Sequence, residues 1–228
     1  MFARSPALLN QTLATYQFEH NINSMPETDN DKTRKFRITS GFTDGERAAV
    51  AQLFWEAFRG KLGKVMGPDD RASKFFADVV SPKYALVARS LDDKILGIAG
   101  FKTADGAFAG GTLSDMTRHY GRFGGFWRGI LLETLERNLA PDVLLMDGIF
   151  VDETARGRGV GSALLQAIGE HAASQGLSRV RLDVIDQNPR ARSLYARIGF
   201  QEKDTQSAGV LRWLFGFSSS TTMELRVK

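Results

Sequence analysis

The chain has 228 residues, 43% of them hydrophobic, which is enough for one substantial domain with its own core. Thirty Lys and Arg against 26 Asp and Glu leave a net charge of +4 that is spread along the chain and forms no basic tail. The absence of cysteine excludes disulfides, thiolate metal sites and a cysteine nucleophile, and it fits a reducing compartment. No apolar run approaches the roughly 18 residues of a membrane span and no secretory signal is visible, so we expect a cytoplasmic protein with no metal and no membrane partner.

The first part of the chain predicts a polar lead-in followed by strands and helices. Residues 1–33 are interpreted as a flexible segment, because the stretch from Asn21 to Lys35 is polar, charged and without an apolar period. A single domain over residues 34–228 follows. Its first predicted elements are a short strand at 35–42, a helix at 45–60, a shorter helix at 67–82 and a hairpin of strands at 84–90 and 94–103.

An insertion at about 103–141 interrupts this regular order. Within it, the segment 116–141 mixes aromatic and basic residues; the second half of this segment is predicted to be helical, whereas its first half has no readable period. The stretch "RHYGRFGGFW" (118–127) either walls a pocket or combines core residues with a charged rim. The remaining predicted elements are a buried strand at 142–151, a helix from Val160 to Gly176, an alternating strand at 179–185, a helix at 188–200 and closing strands at 209–217 and 221–228. This order predicts an α/β fold with a mixed, mostly antiparallel twisted sheet flanked by helices.

One glycine-rich turn joins the buried strand to the helix that begins at Val160. In "VDETARGRGVGSALL" (151–165), Gly157, Gly159 and Gly161 alternate with larger residues. A strand that enters a helix through glycines leaves the first N–H groups of the helix unpaired, and the helix dipole makes that end attractive to anions. Arg156 and Arg158 add side-chain charge there, or are simply solvated.

Two common phosphate-binding motifs do not fit this turn. A Walker loop requires Gly-Lys-Ser/Thr, and the turn contains no lysine. A dinucleotide fingerprint requires G-x-G-x-x-G directly after the strand, but five residues separate Val151 from Gly157 and position 162 is Ser.

The pattern Arg-x-x-Gly-x-Gly, from Arg156 to Gly161, resembles the acetyl-coenzyme A signature of the GNAT superfamily of N-acyltransferases. A second stretch, "NPRARSLYARIGF" (188–200), is similar to a later motif of the same superfamily, and the two motifs stand in the family's order. The resemblance covers the chain from about residue 34 and implies the GNAT-like acyl-CoA N-acyltransferase fold. It departs between Ile95 and Val151, where this chain has some forty extra residues, and that leaves the acceptor site open.

The resemblance implies an acetyl-CoA-dependent N-acetyltransferase in which a primary amine attacks the thioester within a ternary complex. An amine of pKa near 10.4 must first lose a proton, which costs about 4.6 kcal/mol at pH 7. Main-chain N–H groups at a splayed strand edge stabilise the developing oxyanion, and a phenol protonates the departing thiolate. The residues implied to bind the cofactor are Ile149, Phe150, Val151, Arg156, Gly157, Arg158, Gly159, Val160, Gly161, Ser162 and Asn188.

Several of these roles have a plainer alternative. Tyr195 matches the family's proton donor, yet it also lies on the apolar stripe of its helix and can be a core residue. Asn188 caps a helix, contacts the cofactor, or does both.

The general base is not fixed by the sequence. Asp147 is our first candidate because, four residues before Val151, it shares that residue's face if the strand is regular. Asp183, His119 and Tyr120 are the other candidates.

Two other functions remain open at this point. The chain can be a CoA-binding sensor or interaction module without turnover, or an RNA-associated protein, as its pI of about 9.4 allows. We favour the enzyme, acting on a small-molecule or protein amine without a nucleic-acid partner and with a possible homodimer formed through the closing strands.

Overall fold

A computed structural model of the chain describes residues 35–133, 139–209 and 212–227. The predicted flexible segment 1–33 and residues 134–138 of the insertion lie outside the described residues. The strands are β1 Phe36–Ser40, β2 Ala85–Ser90, β3 Ile95–Thr103, β4 Gly106–Ala107, β5 Val143–Val151, β6 Arg179–Ile185, β7 Gln201–Ser207 and β8 Ser219–Arg226. The helices are α1 Arg47–Met66, α2 Asp69–Val79, α3 Leu113–Glu133, α4 Val160–Ser174, α5 Pro189–Ile198 and α6 Arg212–Phe215.

The strands form one sheet in the order β1-β2-β3-β5-β6-β8-β7, and β4 pairs with the end of β3. Every pairing in this sheet is antiparallel except that of β5 with β6. This arrangement confirms the predicted mixed, mostly antiparallel sheet, and the β2–β3 pairing confirms the predicted hairpin. The parallel pair requires a crossover connection, which α4 provides.

The helices lie on opposite faces of the sheet. On one face α1 packs against β5, where Phe54 and Phe58 contact the ring of Phe150. On the other face α4 packs against the same strand, since a Cβ at Gly161 of α4 would lie 3.9 Å from Val151 Cγ2. We call these the α1 face and the α4 face.

The ends of two helices follow the capping signals in the sequence. Before α1, the Glu46 carboxylate accepts a hydrogen bond from the Thr43 amide at 2.8 Å. α5 begins after Asn188, whose Oδ1 accepts from the Ala191 amide at 3.2 Å, and it ends at Gly199 with φ of 107°. Local sequence therefore sets the start of α1 and both ends of α5.

The insertion forms a small helical hairpin. α3 is helical on both sides of Gly121, whose φ of 73° and ψ of 167° are not helical and turn the chain. The two segments pack closely at Gly125, where a Cβ would lie 2.6 Å from Thr117 Cα. In the segment 116–141, the helix predicted for the second half is confirmed as far as Glu133, residues 134–138 lie outside the described part of the chain, and the first half, which had no readable period, is helical as well.

The predicted strand at 209–217 is wrong. Its described residues include the short helix α6, and Val210 and Leu211 lie outside the described part of the chain. The strand next to β8 is instead β7, whose sequence QEKDTQS is exposed along its whole length. An edge strand with charged side chains on both faces carries no apolar alternation, so the sequence gives no periodic signal for it.

Candidate active site

A gap opens in the sheet where β5 and β6 part. Only Val143–Leu145 of β5 pair with Arg179–Arg181 of β6, although the two strands continue to Val151 and Ile185. Beyond Leu145, the edge of β5 that faces β6 is therefore left without a ladder partner in the described residues. Parallel neighbours that diverge in this way expose main-chain donors and acceptors to a ligand.

The main-chain groups of β5 alternate between the gap and β3. The Asp152 amide donates to the Leu96 carbonyl at 2.9 Å, and the Phe150 carbonyl lies 3.0 Å from the position of a Cβ on Gly97. The N–H and C=O groups of Phe150 and Asp152 thus point toward β3. Because these groups alternate along a strand, those of Ile149 and Val151 point toward the gap. The resemblance implied that Phe150 binds the cofactor as well, but its backbone N–H and C=O groups face β3 in the β3–β5 ladder and not the gap.

Successive amide groups are unpaired in the turn before α4. The first backbone hydrogen bond of this helix runs from the Ala163 amide to the Gly159 carbonyl at 3.0 Å. From Gly157 to Ser162 no amide has a hydrogen-bond acceptor among the described residues. Such a row of N–H groups at the positive end of a helix is suited to a phosphate or diphosphate.

Glycine is required at two positions of this turn by backbone conformation. Gly157 and Gly159 have φ of 75° and 80°, in the left-handed region, and nothing lies within 4 Å of a Cβ at either position. The third glycine serves packing, since a Cβ on Gly161 would lie 3.3 Å from Leu194 of α5. The alternating glycines therefore aim the amides and also keep space open in front of them.

The two arginines of the turn differ in their contacts. Arg156 Nε donates to the Val151 carbonyl at 3.3 Å, and its guanidinium lies 3.8 Å from Glu153. Arg158 is exposed and has no ion-pair partner among the described residues. Arg158 is thus the cation of the turn that remains available to an anion.

Tyr195 is a buried tyrosine on α5, which lies on the α4 face next to Gly161. It is 8% exposed, and its ring packs at a tilt of 55° against that of Phe200, with ring centroids 5.9 Å apart. Burial raises the pKa of this phenol to about 12. With this pKa the phenol is protonated at neutral pH. Its hydroxyl has no hydrogen-bond partner within the described residues, so it is able to donate its proton to a ligand.

Asp147 sits at a β-bulge. Gly100 pairs with Gly148 and Phe101 pairs with Met146, so Asp147 between them has no partner in the register. Its Oδ2 accepts from the amides of Phe108 at 3.0 Å and Ala109 at 3.4 Å.

The bulge also changes the face on which Asp147 lies. The ring of Phe108 packs on the α1 face against Phe54 and Phe150. The expectation that Asp147 shares the face of Val151 is therefore wrong, because the strand is not regular and the extra residue moves the carboxylate to the α1 face.

The side chains of the other candidate bases make hydrogen bonds with other parts of the protein. His119 Nε2 lies 2.8 Å from Asp78 Oδ2, and the Tyr120 hydroxyl donates to the Met66 carbonyl at 2.5 Å. Both belong to the packing of α3 and are not placed at the gap. Asp183 alternates with the buried residues of β6 and accepts from Thr222 Oγ1 of β8 at 2.5 Å. It follows Arg181, the last residue of β6 that pairs with β5, by two positions, as Asp147 follows Leu145, so the two carboxylates belong to opposite sides of the gap.

Comparison with known proteins agrees with this geometry. Residues 47–200 match the model of the Acetyltransferase (GNAT) family, so the chain belongs to that family. Its members are acyltransferases that take the acetyl group from acetyl-coenzyme A.

Two curated relatives are similar over part of the chain. Thialysine N-ε-acetyltransferase of Bos taurus is 35% identical over 86 residues, which cover 37% of this chain and 48% of that protein. Glucosamine 6-phosphate N-acetyltransferase 1 of rice (Oryza sativa subsp. japonica) is 36% identical over 61 residues, or 27% of this chain and 35% of that protein. The matched segments thus span half or less of these relatives.

Solved structures show the fold over most of the chain. An acetyltransferase crystal structure aligns with a TM-score of 0.56 and 25% identity, covering 84% of this chain and 99% of that one. The ribosomal-protein-S18-alanine N-acetyltransferase of Escherichia coli aligns with a TM-score of 0.51 and 16% identity, covering 85% and 94%. Among the described residues, no helix has the length and apolarity to cross a membrane.

Proposed function

We propose that this chain transfers the acetyl group of acetyl-coenzyme A to a primary amine by direct attack within a ternary complex. The observation that carries the proposal is the row of unpaired amides from Gly157 to Ser162, directly after the open edge of β5. In a chain of this family, these two features provide sites for a diphosphate and for an extended amide-containing arm.

The residues present fit acetyl-coenzyme A, which supplies the activated acetyl group as a thioester. The amides of Gly157 to Ser162 and the side chain of Arg158 would hold the diphosphate. The main chain of Ile149 and Val151 would hold the pantetheine arm and offer an N–H to the thioester oxygen. Asn188 accepts a hydrogen bond from the Ala191 amide as a helix cap. We therefore propose capping as its main role and a contact with the cofactor as a second role.

Two side chains would move the protons. Asp147, with its carboxylate fixed by the amides of Phe108 and Ala109, would take the proton from the amine. Tyr195 would donate its phenolic proton to the departing sulfur, which its pKa of about 12 permits across the neutral range. The acid and the base thus belong to different faces of the sheet.

The acceptor is proposed at the level of a primary amine on a small molecule or a protein. The bovine and rice relatives are named for thialysine and glucosamine 6-phosphate, which both offer such an amine. We further propose that the protein works in the cytoplasm without a nucleic-acid partner, and that a homodimer through the exposed edge of β7 is compatible with the site.

A panel screen of amines tests the proposal. Because the chain contains no cysteine, a thiol reagent reports only released coenzyme A. We expect turnover with at least one class of small amine or amino-terminal peptide. Tight coenzyme A binding without turnover on any acceptor would instead favour a sensor or interaction module.

A further inference from the structure

α1 extends across the gap on the face that carries Asp147. Phe58 lies against β5, since a Cβ on Gly148 would overlap its ring. Six residues later, Lys64 Nζ donates to the Trp213 carbonyl at 2.9 Å, in the connection between β7 and β8. At 1.5 Å per residue this segment spans about 9 Å, roughly two strand spacings. Since β8 is the neighbour of β6, residues 58–66 cover the gap, and we call them the roof segment.

The end of the roof segment is capped by the insertion. The last carbonyls of a helix have no partner within the helix and need donors from elsewhere. Tyr120 Oη donates to the Met66 carbonyl at 2.5 Å, and Arg128 Nε donates to the Val65 carbonyl at 2.5 Å. One donor comes from each half of the α3 hairpin, so both halves of the hairpin bind the end of α1.

The two donors also support each other. The Arg128 guanidinium lies 4.6 Å from the centroid of the Tyr120 ring, and that of Arg71 lies 5.8 Å from it. Tyr120 is 7% exposed, and burial raises its pKa to about 12, so the hydroxyl remains a donor. The hairpin is further tied to α2 by the His119–Asp78 contact of 2.8 Å. We call the hydrogen bonds from Tyr120 and Arg128 to the end of α1 the clamp; together with the His119–Asp78 contact it joins α1, α2 and α3.

We infer that Tyr120 and Arg128 are positioning residues for the acceptor: through the roof segment they fix how closely an amine substrate can be enclosed above Asp147. The inserted hairpin then sets acceptor affinity without touching the reacting atoms. This inference rests on the proposed function, because it needs the acceptor to enter on the α1 face. It assigns to the insertion a role in acceptor selection, separate from coenzyme A binding on the α4 face.

The test compares Tyr120→Phe with a matched Tyr84→Phe control. Tyr84 is 9% exposed and its hydroxyl donates to the Asp105 carbonyl at 2.8 Å, so the control loses the same kind of bond away from α1. In Tyr120→Phe we expect hydrogen exchange of the amides at 62–67 and the KM for the acceptor amine both to rise about 2- to 12-fold, the equivalent of one hydrogen bond. We expect kcat and the Kd for coenzyme A to stay unchanged, because the variant should weaken binding of the acceptor equally in the ground state and in the transition state.

A second pair of variants separates the bond from general packing. Arg128→Lys keeps a donor for the Val65 carbonyl and should retain the wild-type KM, whereas Arg128→Met, which has no donor, should raise it. Equal acceptor KM values in Tyr120→Phe and Tyr84→Phe, or unchanged exchange at 62–67, would overturn the inference even if the enzyme turns over normally. A wild-type chain without acetyl transfer to any amine would overturn the proposed function, and with it the role in acceptor selection, while the exchange data would still report whether the clamp exists.

Discussion

Asp147 and Tyr195 lie on opposite sides of the same sheet. The bulge in β5 places the Asp147 carboxylate on the α1 face, bonded to the amides of Phe108 and Ala109. Tyr195 belongs to α5, which packs beside the α4 helix through Leu194 and Gly161. A reaction at the gap between β5 and β6 can therefore receive its base from one side and its acid from the other, so that the two proton transfers do not compete for one group.

Replacing Asp147 tests the base. In Asp147→Asn the amide oxygen can still accept from Phe108 and Ala109, so the fold should persist while proton acceptance is lost. We expect kcat/KM for the acceptor to fall about 100-fold at pH 7. The deficit should shrink as the pH rises toward the amine pKa near 10.4, where the substrate deprotonates in solution. Steady-state rates between pH 6 and 10 measure this.

Asp183 provides the comparison for that experiment. It lies across the gap and is held by Thr222 Oγ1 at 2.5 Å and by Arg181 at 3.8 Å. Asp183→Asn should lower kcat/KM less than tenfold with no change in the shape of the pH profile. A larger and pH-dependent loss in Asp183→Asn than in Asp147→Asn would exchange the roles of the two residues.

Replacing Tyr195 tests the acid. Tyr195→Phe keeps the buried ring and removes only the hydroxyl, so coenzyme A should bind with unchanged Kd while kcat falls about 100-fold. Because burial raises the phenol pKa to about 12, the wild-type enzyme should show no alkaline loss of kcat from this group below pH 10. Full turnover of the phenylalanine variant across this pH range would exclude Tyr195 as proton donor.

The glycine turn can be tested against an equivalent glycine outside the site. Gly159 and Gly176 have φ of 80° and 71°, and no atom lies within 4 Å of a Cβ on either. Alanine at each position should therefore cost roughly 1–2 kcal/mol of stability. Only Gly159→Ala should raise the Kd for coenzyme A, by about tenfold, which corresponds to 1.4 kcal/mol. Calorimetric titration of both variants checks this, and equal Kd values would contradict it.

An ion pair that links the start of α1 to β2 predicts how stability changes with pH. Arg89 donates to both Glu46 oxygens, at 2.5 Å and 3.0 Å, and this hydrogen bonding lowers the pKa of Glu46 from 4.5 to about 2. Its contribution to the free energy of unfolding is thus complete above pH 4.5 and lost as the pH falls through 2. Glu46→Gln should cost about 1–3 kcal/mol at pH 7, and this difference from wild type should narrow below pH 4.5.

Urea unfolding of wild type and Glu46→Gln at several pH values measures that difference. Glu56→Gln, which changes an exposed glutamate of α1, is the control and should stay within about 0.5 kcal/mol of wild type. A Glu46→Gln effect that is constant down to pH 2 would show that the ion pair does not set the acid response.

Local sequence signals predicted the parts of the site that depend on backbone conformation. Gly157 and Gly159 mark a turn that only glycine adopts easily, and both have positive φ. Asn188 and Gly199 mark the two ends of α5, as the structure confirms. These features depend on a few neighbouring residues, so short motifs specify them.

Features that depend on neighbouring strands were not predictable in this way. The bulge at Asp147 arises from its register with β3; the neighbouring Gly148 is compatible with a bulge but does not specify one. The clamp from Tyr120 to Met66 joins residues 54 positions apart. β7 lacks an apolar face, so its sequence shows no strand period. In α3, the glycines at the turn and at the packing contact of the hairpin interrupt the helical period. Each of these is decided by tertiary contacts that periodicity does not record.

The most direct test of the account is a titration of the ¹⁵N-labelled chain with coenzyme A, followed through its backbone amide resonances. If the diphosphate binds the unpaired amides, the largest shifts should fall on Gly157 to Ser162, with a second set at Ile149 and Val151 on the edge of the gap. Shifts confined to other surfaces, or no binding at millimolar coenzyme A, would contradict the proposed site and the acetyl transfer that depends on it.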